Sequence, residues 1–255
     1  MNTDNKSPNT LTEATSKLVG RLFSVGAHFG FTKSRRHPTV TPYIFGTKQG
    51  TDIIDLEKTS ALLETAKTVL FEAGKAGKTV LFVGTKEEIA HLVRDNALKV
   101  TMPYVVNRWI GGMLTNFSEI RKRIARLNEL TAQGESGELE RKYTKKERVV
   151  IGRELDKLNF NFSGIKTIER NPHMLVIVDP RHDFIAAQEA RDSKIPVVGI
   201  MSSDTNVRSI THPIIANDGL QASVALLLGE LTDAYLAGKS EFVPQKKEES
   251  KNRER

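Results

Sequence analysis

Thr79–Val80–Leu81–Phe82–Val83–Gly84–Thr85–Lys86 holds an unbroken apolar run that stops at a glycine and passes directly into a helical pattern over 86–98. A strand with one wet face would alternate polar and apolar residues; a continuous run belongs to a strand buried on both sides. The same pattern recurs at Met174–Leu175–Val176–Ile177–Val178, ahead of a helix near 182–193, and at Ile195–Pro196–Val197–Val198–Gly199–Ile200. Pro213–Ile214–Ile215–Ala216 precedes a final helix over 219–237, and Tyr104–Val105–Val106 forms a shorter strand. Apolar strands alternating with helices predict a doubly wound α/β domain with a mainly parallel sheet, Rossmann-like or flavodoxin-like.

Upstream, Leu11, Leu18, Leu22, Phe23 and Val25 mark a partly amphipathic helix over 11–26 that ends in the turn Gly26–Ala27–His28–Phe29–Gly30. A basic loop fills 31–42, and Pro42–Tyr43–Ile44–Phe45–Gly46 is a short strand bounded by breakers. Thr51–Asp52–Ile53–Ile54–Asp55 then leads into a helix whose apolar face is Leu56, Leu63, Ala66 and Leu70. Residues 113–165 interrupt the alternation. Two helical arms place Phe117, Ile120, Ile124 and Leu127, then Ile151, Leu155, Leu158 and Phe162, at spacings of three and four around Gln133–Gly134–Glu135–Ser136–Gly137. Narrow seams of this kind predict an inserted antiparallel coiled-coil hairpin, with crossover helices packed on the sheet as the alternative. The α/β domain is then 11–112 with 166–238. The ends, 1–10 and 239–255, are too polar to bury a face and are expected to be disordered.

Bulk properties narrow the chemistry. Thirty-eight Lys and Arg against 31 Asp and Glu give +7 and a pI near 9.5, which suits a polyanionic partner or a basic enzyme equally. Without cysteine there is no thiolate zinc site, iron–sulfur cluster or cysteine nucleophile. No apolar run reaches the length of a membrane span, and Met1–Leu18 has neither an apolar core nor an arginine. A cytoplasmic protein with no membrane partner is expected.

Enzyme motifs are missing where the fold would place them. No Gly-x-Gly-x-x-Gly follows a strand, and Gly74–Lys75–Ala76–Gly77–Lys78–Thr79 precedes its strand, whereas a phosphate loop must follow one. It reads as a helix C-terminal glycine stop. Backbone amides at Val83–Gly84–Thr85–Lys86 could hold an anion, a cofactor or an RNA phosphate alike. His28, His37, His91, His173, His182 and His212 lack ligand spacing, and Ser202, Ser203 and Asp204 after a strand suit a turn or cap. No catalytic residue, metal, cofactor or small-molecule substrate is expected.

Charge is concentrated instead in three places. Lys33, Arg35, Arg36 and His37 lie in the early loop, with Lys48 beyond the next strand and Phe29, Phe31 and Tyr43 nearby; guanidinium groups and exposed rings suit irregular RNA. Arg108 stands beside Trp109, the only tryptophan, and Gly111–Gly112 at the root of the insertion, where Trp109 is expected to anchor it. Arg121, Lys122, Arg123 and Arg126 cover an exposed side of the first arm. The second arm mixes Arg141, Lys142, Lys145, Lys146 and Arg148 with Glu138, Glu140 and Glu147, and suits a protein as well as RNA.

Several of these stretches, in this order, resemble the bacterial-type family of small-subunit ribosomal protein two. They are Gly26–Ala27–His28–Phe29–Gly30, Pro42–Tyr43–Ile44–Phe45–Gly46, Ile53–Ile54–Asp55–Leu56–Glu57–Lys58–Thr59 and Leu81–Phe82–Val83–Gly84–Thr85–Lys86. The most specific is Arg108–Trp109–Ile110–Gly111–Gly112–Met113–Leu114–Thr115–Asn116–Phe117; Thr144–Lys145–Lys146–Glu147 and Gly164–Ile165–Lys166 follow. The resemblance covers residues 18–238. It implies a Rossmann-like domain with an inserted coiled coil, bound to 16S-type rRNA and neighbouring small-subunit proteins near the head–body junction. In many bacteria it also implies docking of small-subunit ribosomal protein one.

One region departs from that family. Where members show Asp-Thr-Asn, Asp-Pro-Asp and Pro-Gly-Asn-Asp, this chain has Ser202–Ser203–Asp204–Thr205–Asn206–Val207–Arg208 and Ile215–Ala216–Asn217–Asp218–Gly219. The resemblance implies, for some members, a metal held by acids there. Two serines and Arg208 remove ligands and charge, so no metal is expected, and docking of protein one loses support with it.

Overall fold

The computed structural model describes residues 8–242. Helix α1 (Pro8–Ser24) is followed by a turn at Gly26, whose φ of 71° suits glycine. There follow β1 (Phe29–Thr32), 3₁₀ turns over Lys33–Arg35 and Pro38–Tyr43, β2 (Ile44–Lys48) and β3 (Thr51–Ile54). These strands form a separate antiparallel sheet ordered β1-β3-β2, which the sequence reading lacked. The strand anticipated at Pro42–Gly46 starts at Ile44 because Pro38 and Pro42 sit in the 3₁₀ turn before it. Helix α2 (Leu56–Lys75) is capped by Asp55, whose carboxylate accepts from Glu57 N at 3.1 Å and Lys58 N at 3.4 Å.

The main body continues with β4 (Val80–Val83), α3 (Glu87–Val100), β5 (Tyr104–Val105), α4 (Phe117–Glu135), α5 (Glu138–Lys142) and α6 (Lys145–Phe162). Then come β6 (Met174–Val178), α7 (Phe184–Asp192), β7 (Val197–Met201), β8 (His212–Ile215) and α8 (Gln221–Ser240). All four strand pairs of the five-stranded sheet, β5-β4-β6-β7-β8, are parallel. Alternate residues point to opposite faces, and both are buried. Val80, Phe82, Val176, Val198 and Ile214 join α1, α2, α3 and α8 in one core; Leu81, Val83, Leu175, Ile177 and Ile215 join α4, α6 and α7 in the other. Each fully buried aliphatic side chain contributes about 1.5–3 kcal/mol. The chain builds from β4 outward in both directions, so the order reverses between β4 and β6.

Helices α2 and α8 cross with no room for a side chain. A Cβ on Gly74 would lie 2.3 Å from the Tyr235 carbonyl oxygen, and one on Gly238 would lie 2.0 Å from that of Phe71. Gly74 therefore sits inside α2 for packing, and Gly77, at φ 62°, is the glycine just beyond the helix end.

In the insertion, Ile120, Ile124, Leu127 and Leu130 of α4 and Leu158 and Phe162 of α6 are buried, while Ile151 and Leu155 are partly buried. The second arm is not one helix. Tyr143 is extended, and Thr144 with Glu147 starts α6 as a reciprocal capping box, Thr144 N and Oγ1 donating to the Glu147 carboxylate at 2.9 and 2.8 Å. Of the ends anticipated as disordered, residues 1–7 and 243–255 lie outside the described residues; Pro8–Thr10 belong to α1 and Lys239–Ser240 to α8.

Candidate nucleic-acid interface

The small sheet gathers the early cations at one end. Lys33 N donates to Gly50 O at 2.9 Å, which ties the Lys33–Arg35 turn to the β2–β3 hairpin that carries Lys48. Lys33, Arg35 and Lys48 are exposed. Arg35 lies 4.6 Å from the Phe31 ring centroid and reaches to 3.8 Å from Asp204, with 54% of its side chain in solvent.

Arg36 turns the other way. Its Nε donates to Asp52 Oδ2 at 2.7 Å, and its Nη2 donates to Asp52 Oδ1 and, at 2.9 Å, to Thr47 Oγ1. Asp52 is wholly buried, and hydrogen bonding to Arg36 holds its carboxyl below the usual range against the opposing effect of burial. Arg36 thus neutralises an internal carboxylate. His37 is a cap: its backbone N–H donates to Ser203 O at 2.8 Å and its Nδ1 accepts from Thr39 N at 3.3 Å. Ser203 returns the tie by accepting from Phe31 N at 2.9 Å, which places the residues after β7 under the basic loop. Of the nearby rings, Phe29 is half exposed and packs on His28, itself stacked on Phe23 at 4.5 Å.

The second group surrounds the root of the insertion. Trp109 is buried, and its Nε1–H donates to Glu189 Oε1 at 3.2 Å. Glu189 also accepts from Gly112 N at 2.7 Å, Leu114 N at 3.0 Å, Thr115 N at 3.4 Å and Thr115 Oγ1 at 3.3 Å. Burial alone would raise its pKa, but these donors outweigh burial and hold it below the usual value. The anchoring expected of Trp109 is therefore present, and its partner is an acid on α7 that the sequence did not single out. Arg108 projects beside this root, exposed.

On α4, Arg121 and Arg123 are exposed without an ion-pair partner among the described residues, whereas Lys122 pairs with Glu119 at 2.6 Å. Arg126 bridges Glu129 at 3.1 Å and Glu154 of α6 at 3.3 Å, so it links the two arms. No hydrogen bond or ion pair among the described residues joins the early-loop group to the root group.

A cofactor in this type of sheet would occupy the crevice beyond the strand ends where the order reverses, here between β4 and β6. The chain's own side chains pair with one another there. Thr85 N and Oγ1 donate to Asp183 at 3.0 and 2.7 Å, and Lys86 pairs with Asp179 at 3.2 Å. Burial works against the charge of Lys86, but Asp179 and Asp218 prevail and hold its pKa up. Asp218 accepts from Ser202 N at 3.1 Å; burial, followed by Asp179, pushes its pKa up to about 8. The anion site considered at Val83–Lys86 is thus occupied by acids. These acids also fit a metal poorly: Asp204 is held by Arg181 at 2.6 Å, Asp179 faces Lys86, and burial pushes Asp218 toward its neutral form.

Comparison with known proteins agrees with the sequence resemblance. A sequence profile of the family "Ribosomal protein S2" matches residues 22–238. The small ribosomal subunit protein uS2 of Picosynechococcus sp. is 41% identical over 87% of this chain and 86% of its own length. That of Sulfurimonas denitrificans is 41% identical over 86% and 84%, and uS2c of Rhodomonas salina 39% over 91% and 95%. With a profile match across most of its length and relatives this similar, the chain belongs to the ribosomal protein S2 family.

Proposed function

We propose that this chain is a structural constituent of the small ribosomal subunit, not an enzyme, that binds 16S-type rRNA and neighbouring ribosomal proteins and supports subunit assembly and translation. One observation carries the reading: Lys33, Lys48, Arg108, Arg121 and Arg123 are exposed with no carboxylate partner among the described residues, while Thr85 and Lys86 at the crevice are already paired with Asp183 and Asp179. Unpaired surface cations neutralise phosphates and release counterions. Within this reading, 113–165 is an antiparallel coiled-coil projection from an α/β domain of 11–112 and 166–238. Its first arm faces RNA with Arg121 and Arg123, and its second, with mixed charge, faces protein or RNA. Arg36, His37, Lys122 and Arg126 support the surface more than they contact RNA, since each already has a partner inside the chain. Docking of small-subunit ribosomal protein one finds no support in the committed acids after β7.

Co-sedimentation with small subunits lacking this protein tests the proposal. Wild type is expected to bind, and to dissociate steeply as salt rises; K33A/R35A is expected to bind more weakly while keeping its melting temperature. Wild type that does not bind, or that is stabilised by a nucleotide, would overturn it.

A further inference from the structure

A fourth cationic site lies on the α7 face of the sheet, apart from those picked out in the sequence. Arg191 in the last turn of α7, Lys194 in the following turn and Arg208 in the 3₁₀ turn Val207–Ser209 wall an open cavity of about 330 Å³, with Pro196, Ser209 and Thr211. No carboxylate lines it, and none of the three cations has an ion-pair partner among the described residues. Asp192, next in sequence to Arg191, is not among the lining residues.

Local hydrogen bonds hold the backbone of both walls. Lys194 adopts φ 55°, and the turn is closed by Lys194 N to Arg191 O at 3.0 Å and Ile195 N to Ala190 O at 2.8 Å. Asn206 caps the opposite wall by accepting from Arg208 N at 3.1 Å. Thr211 Oγ1 accepts from Val197 N at 3.3 Å, which leaves its own O–H as a donor at the cavity. Three like charges held together without a counter-charge repel one another, and an anion relieves that repulsion.

We propose that this cavity binds a phosphodiester of an RNA backbone and makes the α7–β8 side of the domain part of the RNA surface. The inference rests on the RNA-binding reading above and adds a place to it. Continuity favours RNA over a free anion: Val207 N donates to Thr39 Oγ1 at 3.0 Å, so the Arg208 turn packs against the end of the basic loop, and one strand could pass from Arg35 to Arg208.

Two measurements on the full-length chain test it. The first is binding to small subunits lacking this protein, across a salt series, for wild type, K33A/R35A, R191Q/R208Q and the single R208Q. R191Q/R208Q is expected to weaken binding about tenfold and to lower the slope of log K against log salt by about 1–2. R208Q, at an exposed position, should give about half that change in slope and serves if the double variant folds poorly. If wild type binds and K33A/R35A weakens while the 191/208 variants match wild type, this proposal fails and the broader one stands. If wild type does not bind, the broader one fails. The second measurement uses the absence of cysteine: R208C provides a unique thiol for a photo-cross-linker in the assembled particle. Cross-linking to rRNA supports the proposal; cross-linking only to a protein, or stabilisation by inorganic phosphate with unchanged subunit binding, overturns it.

Discussion

The indole N–H of Trp109 donates to Glu189 across 80 residues of chain, and the same carboxylate closes the turn that opens α4. The only tryptophan thus reports on the attachment of the insertion. Glu189→Ala leaves that N–H and the amides of Gly112 and Leu114 without their acceptor, at a cost of about 3–5 kcal/mol. Lower thermal stability and a red shift of tryptophan emission are expected; an unchanged spectrum and melting temperature would rule the anchor out. Because the folded pKa of Glu189 lies below the ordinary 4.5, its stabilisation is complete above that pH and drains away as pH falls through the depressed folded value.

Arg35 and Arg36 should separate cleanly. Arg36→Ala strands the buried Asp52 carboxylate and should cost about 3–5 kcal/mol, seen as a lower urea midpoint. Arg35→Ala, with its side chain half in solvent, should change stability by less than about 0.5 kcal/mol and act on subunit binding instead. Equal loss of stability in both variants would contradict the geometry.

Asp218 gives stability an unusual slope with pH. Its folded pKa, about 8, lies above the ordinary 3.8, so between those values the folded chain holds a proton that the unfolded chain releases. Its contribution therefore falls as pH rises through this window and levels off above pH 8. Asp218→Asn should flatten the profile between pH 6 and 8 in melting experiments, since the amide oxygen can still accept from Ser202 N. A variant with the wild-type slope would show that another group is responsible.

Gly238→Ala should be far costlier than an ordinary helix substitution. The new methyl would meet the Phe71 carbonyl at 2.0 Å, so the helices must part, losing about 1–3 kcal/mol. Gly229→Ala on the same helix, where nothing lies within 4 Å of the added carbon, is the control and should be neutral or slightly stabilising.

The large sheet was legible because β4, β6 and β7 are buried on both faces and leave no polar residue to break the run. The small sheet was not, since its strands are four or five residues long, mostly half exposed, and shift register at Phe29/Thr32 and Ile44/Gly46. Adjacent arginines look alike in sequence; only Asp52, brought alongside by β3, separates Arg36 from Arg35. Glu189 resembles any helix acid until α7 turns it under Trp109. Arg191, Lys194 and Arg208 lie up to 17 positions apart and meet only because the chain doubles back from β7 to β8.

The glycine crossing of α2 and α8 also joins segments that are made far apart in time. Helix α8, made after every strand of the sheet, packs against α2 and α3 and completes a hydrophobic layer begun by α1 and the strands. During synthesis that layer stays open until the twenty residues of α8 are made, so the nascent chain carries an uncovered oily face until then. Truncation within α8 should therefore yield a sticky, chaperone-dependent product, however complete its sheet.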